Sequence, residues 1–223
     1  MAAKGYRPQL DLSGIAKALP RQPKSDNHFK VMPYPYVRRL AEESGETVSR
    51  QALQFLIHTT ARSGEVRRAT LAEIGMDAAT WTIPAERMKT GKEHVVPLNE
   101  PALTILARMT TIRKTDVAVI FPGIKNQLLS DMTMLKIMRD RSPPYSVHGF
   151  RSAFKTWAVE ATSFPDPVSE AALAHIDANK VRAAYSRTDI RRQREQLMAA
   201  WANFVGDGGA TVHAIHPVTT LAA

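Results

Sequence analysis

The stretch ATWTIPAERMKTGKEHVVPL, residues 79–98, decides the fold class. ATWTIPA and HVVPL are β-rich runs that flank ERMKTGKE, which reads as a hairpin with Thr90-Gly91 at its turn. Outward from this hairpin the periodicity is helical. Upstream, TVSRQALQFLIHTTAR (47–62) places Leu53, Leu56 and Ile57 at the spacing of one helix face. Downstream, Asn99 with Pro101 behind it starts a helix through ALTILARMTTIRK. Ser130 or Asp131 can cap the next, which carries Met134, Leu135 and Met138. Pro143-Pro144 forces a break before SVHGFRSAFKTWAVEAT, a helix with Phe150, Phe154 and Trp157 along one side. PDPVSEAALAHI and NKVRAAYSR follow as helical segments, the second leading into IRRQREQLMAAWANFV. The expected fold is therefore mainly α with one small antiparallel β-sheet, an α+β domain without internal repeats.

The chain has 223 residues, 44% of them hydrophobic, enough for one good-sized domain with appendages. The globular part begins near Met32 and is expected over 31–205. Residues 1–30 hold three prolines and read as a basic, flexible linker. Residues 1–40 carry eight Lys or Arg against two Asp, a strap able to track a phosphate backbone by counterion release. The tail GDGGATVHAIHPVTTLAA opens on a helix-stopping glycine cluster and has little periodicity. Residues 206–223 are read either as disordered or as docking on the same or a neighbouring chain.

A net charge of +9 favours a polyanionic partner, nucleic acid or an anionic membrane surface, although charge alone fits many basic housekeeping proteins equally well. No apolar run approaches the roughly 18 residues of a spanning helix, and the N-terminus lacks the apolar core of a secretory signal. Cytoplasmic residence is the default expectation. The absence of cysteine removes disulfides, thiolate zinc sites and cysteine nucleophiles.

Six residues in four short motifs suit one chemistry. They are Arg62 in ARSGE, Lys89 in MKTGK, His148 and Arg151 in HGFR, and His175 and Tyr185 in LAHIDANKVRAAYSRTD. A phosphodiester in transfer concentrates negative charge on its non-bridging oxygens, which metals or fixed donors must stabilise. Arginine offers a planar donor fork that holds two such oxygens, so Arg62 and Arg151 are the candidate clamp. Glu65, one helical turn after Arg62, is placed to orient its guanidinium, and taken alone the two read as an ordinary surface i,i+3 ion pair. Lys89 on a turn can protonate a leaving oxygen, and taken alone it reads as a lysine in a solvated turn. His148 and Arg151 share a helix face, and His175 follows on another helical segment. Tyr185 would be the nucleophile, activated by the surrounding cations because a phenol has a pKa of about 10. By itself Tyr185 reads as a structural tyrosine. A metal site from His148, His175 and a carboxylate is the competing reading, and it lacks the HExxH spacing or a cysteine partner. The expectation is no metal and no cofactor. Convergence of the five upstream groups on one basic pocket is the structural test.

Together these motifs resemble the catalytic domain of tyrosine recombinases, and most closely that of prophage-type integrases. The matching segments are TTARSGEVRRATLAEI, TWTIPAERMKTGKEHVVPL, SVHGFRSAFKTWAVEA and LAHIDANKVRAAYSRTDIRRQREQLMAAWANFV, spanning about Asn27 to Val205. The resemblance implies helices around a small sheet that wrap one side of duplex DNA. It implies that Arg62 and Arg151 bind the scissile phosphate with His148 and His175 assisting. Lys89 would be the general acid and Tyr185 would form a 3′-phosphotyrosyl bond. It further implies double-stranded attachment-site DNA as partner, a tetramer on synapsed DNA and a monomer when free. Alternatives are a non-catalytic DNA-binding relic and a type IB topoisomerase.

Two departures stand out. The family usually carries a bulky aromatic where this chain has Ala69-Thr70-Leu71, a change expected to alter packing but not chemistry. Such integrases also carry an arm-binding and a core-binding domain ahead of the catalytic one, whereas residues 1–30 resemble only the linker that follows them. The sequence is thus read as a piece of a longer protein or the product of a shortened gene. Alone it is expected to bind DNA weakly and with strong salt dependence.

Overall fold

A computed structural model describes residues 31–43, 45–112, 118–140, 145–175 and 187–206. The expected linker 1–30, the proline pair 143–144, Tyr185 and its helical segment NKVRAAYS, and the tail beyond Gly206 lie outside the described residues. The described chain runs α1 (Tyr34–Glu42), α2 (Val48–Thr59), α3 (Ser63–Arg67), β1 (Ile74–Gly75), β2 (Thr80–Ile83), β3 (His94–Pro97), α4 (Glu100–Ile112), α5 (Met132–Arg139), α6 (Gly149–Ala161), α7 (Asp166–Ala172) and α8 (Arg187–Gly206). Mostly helical with one small antiparallel sheet, it has the expected class.

The middle of the fold is α2. Thr47 caps it by accepting from the Arg50 amide, and every residue from Gln51 to Thr59 is buried, including Leu53, Leu56 and Ile57. A helix buried all round needs partners on every side; here α1, α4, α5 and α8 all pack on it. Its last turn leaves carbonyls without intrahelical donors, and distant side chains supply them. Trp201 Nε1 donates to Ile57 O at 2.9 Å, and Asn99 Nδ2 to His58 O at 2.9 Å. Asn99 also donates to Met198 O at 3.2 Å, and its Oδ1 accepts the Ala102 amide at 3.2 Å. One buried amide thus caps α4 as the sequence indicates, and also ties α4 to α2 and α8.

The sheet has the order β1-β2-β3, all antiparallel, with Trp81 opposite Val96 and Ile83 opposite His94. Two features differ from the sequence reading. A third strand, β1, pairs Ile74 with Trp81, too short a run to carry an alternation signal. The connection from β2 to β3 is long and contains a 3-10 turn at Ala85–Arg87 before the bend at Met88–Gly91. Gly91 adopts φ +64°, the left-handed region that glycine enters without a Cβ penalty. The sheet meets α2 through Phe55, whose ring centroid lies 5.3 Å from Trp81 and 5.4 Å from Phe121. On the other side of the core Trp157 of α6 contacts Trp201 of α8 at 5.0 Å. Each such fully buried side chain contributes about 1.5–3 kcal/mol of transfer free energy. The small residues at the 69–71 departure are used in packing: Ala69 is fully buried, its carbonyl accepts the Ile120 amide, and Thr70 bridges to Val119.

Candidate active site

Two helix C-termini and two helix N-termini build the site. Helix α2 ends at Thr60, in left-handed conformation at φ 53°, and the chain then turns extended through Arg62 into α3. Helix α7 ends in a similar way. The His175 amide reaches back to Glu170 O at 3.0 Å and Ala174 sits at φ 50°, the pattern in which glycine is usual. His175 therefore lies just past a helix end, and not on a helix as the sequence reading had it. The alanine is still able to close that turn, at the cost of its left-handed strain.

Arg151, in the first turn of α6, spans the two ends. It donates through one terminal nitrogen to Thr60 O at 2.6 Å and through the other to Leu173 O at 2.5 Å. Only 5% of the residue is exposed. A cation so buried is tolerated because it faces the negative ends of two helices and the carboxylates of Glu65 and Glu170. Burial, with the neighbouring Arg62, still lowers its pKa to about 10, leaving it charged at neutral pH. The second of these nitrogens also lies 3.4 Å from His175 Nε2.

Arg62 is the N-cap of α3. Glu65, 5% exposed, accepts its amide at 2.7 Å and its guanidinium at 2.8 Å. With its carboxylate buried, the pair is no solvated surface ion pair. It fixes both the backbone and the side chain of Arg62, as the helical-turn spacing suggested. His148 is the N-cap of α6, exposed, three residues before Arg151. Burial and then Arg151, Arg62, His175 and Lys89 all lower its pKa. Among the five upstream groups Arg151 and His175 are in direct contact, and the charges of Arg151, Arg62, His175 and Lys89 all act on the His148 imidazole. Lys89 lies on the exposed turn after β2, and its influence on His148 is the smallest of the four. Tyr185, the sixth, is outside the described residues.

Four neighbours went unnoticed in the sequence. His94 opens β3 with its pKa lowered to about 4, first by burial, then by Arg194, with Arg151 and Arg62 adding to the effect. Arg194 of α8 donates to Val95 O at 2.5 Å, pinning the helix after the Tyr185 segment to the sheet. Glu170 accepts from His175 Nδ1 at 2.8 Å, and Lys155 binds Glu170 at 2.5 Å as well as Asp166. A signal existed for Lys155, which stands one turn after Arg151 on α6. For Glu170 the spacing to His175 means nothing until the helix end turns back. Among the described residues no group of three or more metal-ligating side chains is assembled, and no helix is long and apolar enough to cross a membrane.

The phage integrase family model matches residues 36–192. Prophage integrase IntA of Escherichia coli K12 is 36% identical over 208 residues, 89% of this chain and 49% of that protein. The integrase of Enterobacteria phage P4 is 30% identical over 196 residues, covering 78% of this chain and 44% of the relative. The chain spans about half the length of the curated relatives it matches. Among solved structures, the integrase of mycobacterium phage Brujita aligns with TM-score 0.59 at 18% identity, over 81% of this chain and 60% of that one. A lambda integrase tetramer bound to a Holliday junction aligns with TM-score 0.54 at 20% identity, over 78% and 56%. These last two share the fold. The chain belongs to the phage integrase family, and it carries the catalytic domain of a tyrosine recombinase.

Proposed function

We propose that this chain cleaves and rejoins duplex DNA in site-specific recombination, the integration and excision of a phage or prophage genome. Tyr185, its phenolic proton released to solvent in the field of the surrounding cations, attacks the scissile phosphorus through its oxygen, and the bond to the 5′ oxygen breaks. Lys89 gives that oxygen its proton, and a 3′-phosphotyrosyl intermediate remains. Arg62 and Arg151 hold the non-bridging oxygens, with His148 and His175 assisting. The intermediate conserves the energy of the phosphodiester, so a 5′ hydroxyl from the exchanged strand reverses the step without ATP, metal or cofactor.

One observation carries this reading: Arg151 is buried where the ends of α2 and α7 meet, 3.4 Å from His175, and the charges of Arg62, Lys89, Arg151 and His175 all bear on His148 although these residues are spread over more than a hundred positions. A cluster of like charges is costly to assemble without an anion to receive it. Duplex attachment-site DNA is the proposed partner, in the bacterial cytoplasm. The fold shared with a lambda integrase tetramer on a Holliday junction supports a tetramer on synapsed DNA. A monomer is proposed for the free chain.

The test uses a pool of short duplexes of randomised sequence, each nicked beside the variable region so that the cleaved 5′-hydroxyl fragment diffuses away. Protein that stays joined to DNA through denaturation in detergent is recovered and the DNA sequenced. The expected result is a covalent adduct with a common sequence, abolished in Tyr185→Phe. Folded protein that binds this DNA and never forms an adduct would instead identify a non-catalytic DNA-binding relic.

A further inference from the structure

His175 is held from both sides. Its Nδ1 lies 2.8 Å from a Glu170 oxygen and its Nε2 lies 3.4 Å from Arg151. A carboxylate accepts only, so Nδ1 must carry the proton of this contact. The backbone repeats the constraint, because the His175 amide donates to the Glu170 carbonyl. Glu170 thus grips both the main chain and the ring of the same residue. A bare carboxylate beside a phosphate position would repel the substrate. Lys155, four residues after Arg151 on α6, removes that objection: it binds the other Glu170 oxygen at 2.5 Å and donates to Ser169 Oγ at 2.8 Å. Lys155 and its two carboxylates, Asp166 and Glu170, are all partly exposed, and lysine and histidine together hold the Glu170 pKa below its usual value.

Resting on the recombinase reading above, we propose that Glu170 is a positioning residue for His175. It holds the proton of the neutral ring on Nδ1 and so leaves Nε2 to accept from the Arg151 guanidinium that clamps the phosphate, while Lys155 offsets its charge. Glu170 itself touches no DNA.

The proposal is tested in the full chain, first without DNA. Long-range 15N–1H correlation on 15N-histidine protein, at a pH where a free imidazole is neutral, reports the tautomer of each ring; His175 is assigned by its loss in His175→Ala. Wild-type protein should show Nδ1–H at His175, and Glu170→Ala should show the Nε2–H form or an exchanging mixture. If Glu170→Ala fails to fold by circular dichroism, Glu170→Gln replaces it, since an uncharged amide is the weaker acceptor. The second arm is a double-mutant cycle on the rate of adduct formation with the duplex pool enriched by wild-type protein. Glu170→Ala alone should slow it about tenfold to a hundredfold, the range of one charge-assisted hydrogen bond. In the His175→Ala background the same change should add no further loss. An unchanged tautomer, or losses that simply multiply, overturns the proposal. Should wild-type protein form no adduct, the recombinase reading fails, and the tautomer comparison decides the role of Glu170 alone.

Discussion

His58 lies in the last turn of α2, 6% exposed, with Nδ1 buried and without a hydrogen-bond partner among the described residues. Burial lowers its pKa from 6.5 to about 4. Because the folded-state value is depressed, the imidazole contributes its full stability above pH 6.5. That contribution is lost as pH falls, since the unfolded chain takes up a proton the folded chain refuses. Below about pH 4 both states are protonated and the loss is complete. Between pH 7 and pH 4.5 this single group should cost about 2 kcal/mol. His58→Leu replaces the ring by an apolar side chain and deletes a buried atom that has no partner, so stability at pH 7 should change by less than about 1.5 kcal/mol. At pH 4.5 the variant should be the more stable protein by about 2 kcal/mol, relative to their difference at pH 7. Urea unfolding at both pH values measures this directly. With a slope of about 2 kcal/mol per molar, the midpoint difference should shift by about 1 M between the two conditions. His94, also near pKa 4, keeps its own pH dependence in both proteins and cancels in the comparison. Parallel loss of stability in wild type and variant would show that His58 is not the buried neutral group described, and the reasoning would fail.

Two further substitutions probe how the site is held. Arg151→Lys places a single ammonium where a guanidinium spans Thr60 O and Leu173 O, so one helix end must lose its donor. Covalent adduct formation should fall at least tenfold and thermal stability should drop by about 1–3 kcal/mol; a lysine variant of wild-type activity would refute the two-ended role. Asn99→Ala removes the α4 cap and the donors to His58 O and Met198 O. Summed over these bonds it should destabilise by about 3 kcal/mol in urea titration. A loss below about 0.5 kcal/mol would mean that those carbonyls find other partners at no cost.

Periodicity and local chemistry made much of this protein legible before any coordinates. Leu53, Leu56 and Ile57 marked α2, Asn99 marked the start of α4, and the runs around Thr90-Gly91 marked the sheet. These are signals between neighbours in sequence, set by the 3.6- and 2-residue repeats of the backbone. The tie between Arg62 and Glu65 was legible as well, because the two sit one helical turn apart. What stayed hidden was made by distance. β1 is two residues long and exists only through its pairing with β2. His175 read as helical because the sequence carries no glycine at 174 to announce the left-handed turn. His94, Arg194 and Glu170 are ordinary residues in ordinary runs until the sheet, α8 and the end of α7 come together.

The sequence by itself therefore determined the class of the fold and the residue types gathered around Arg151. Tertiary structure alone decided how they converge: Arg151 ties the ends of α2 and α7 across separations of 91 and 22 residues. The physical reason is that helix ends leave carbonyls without donors, and the donors that satisfy them can come from anywhere in the chain.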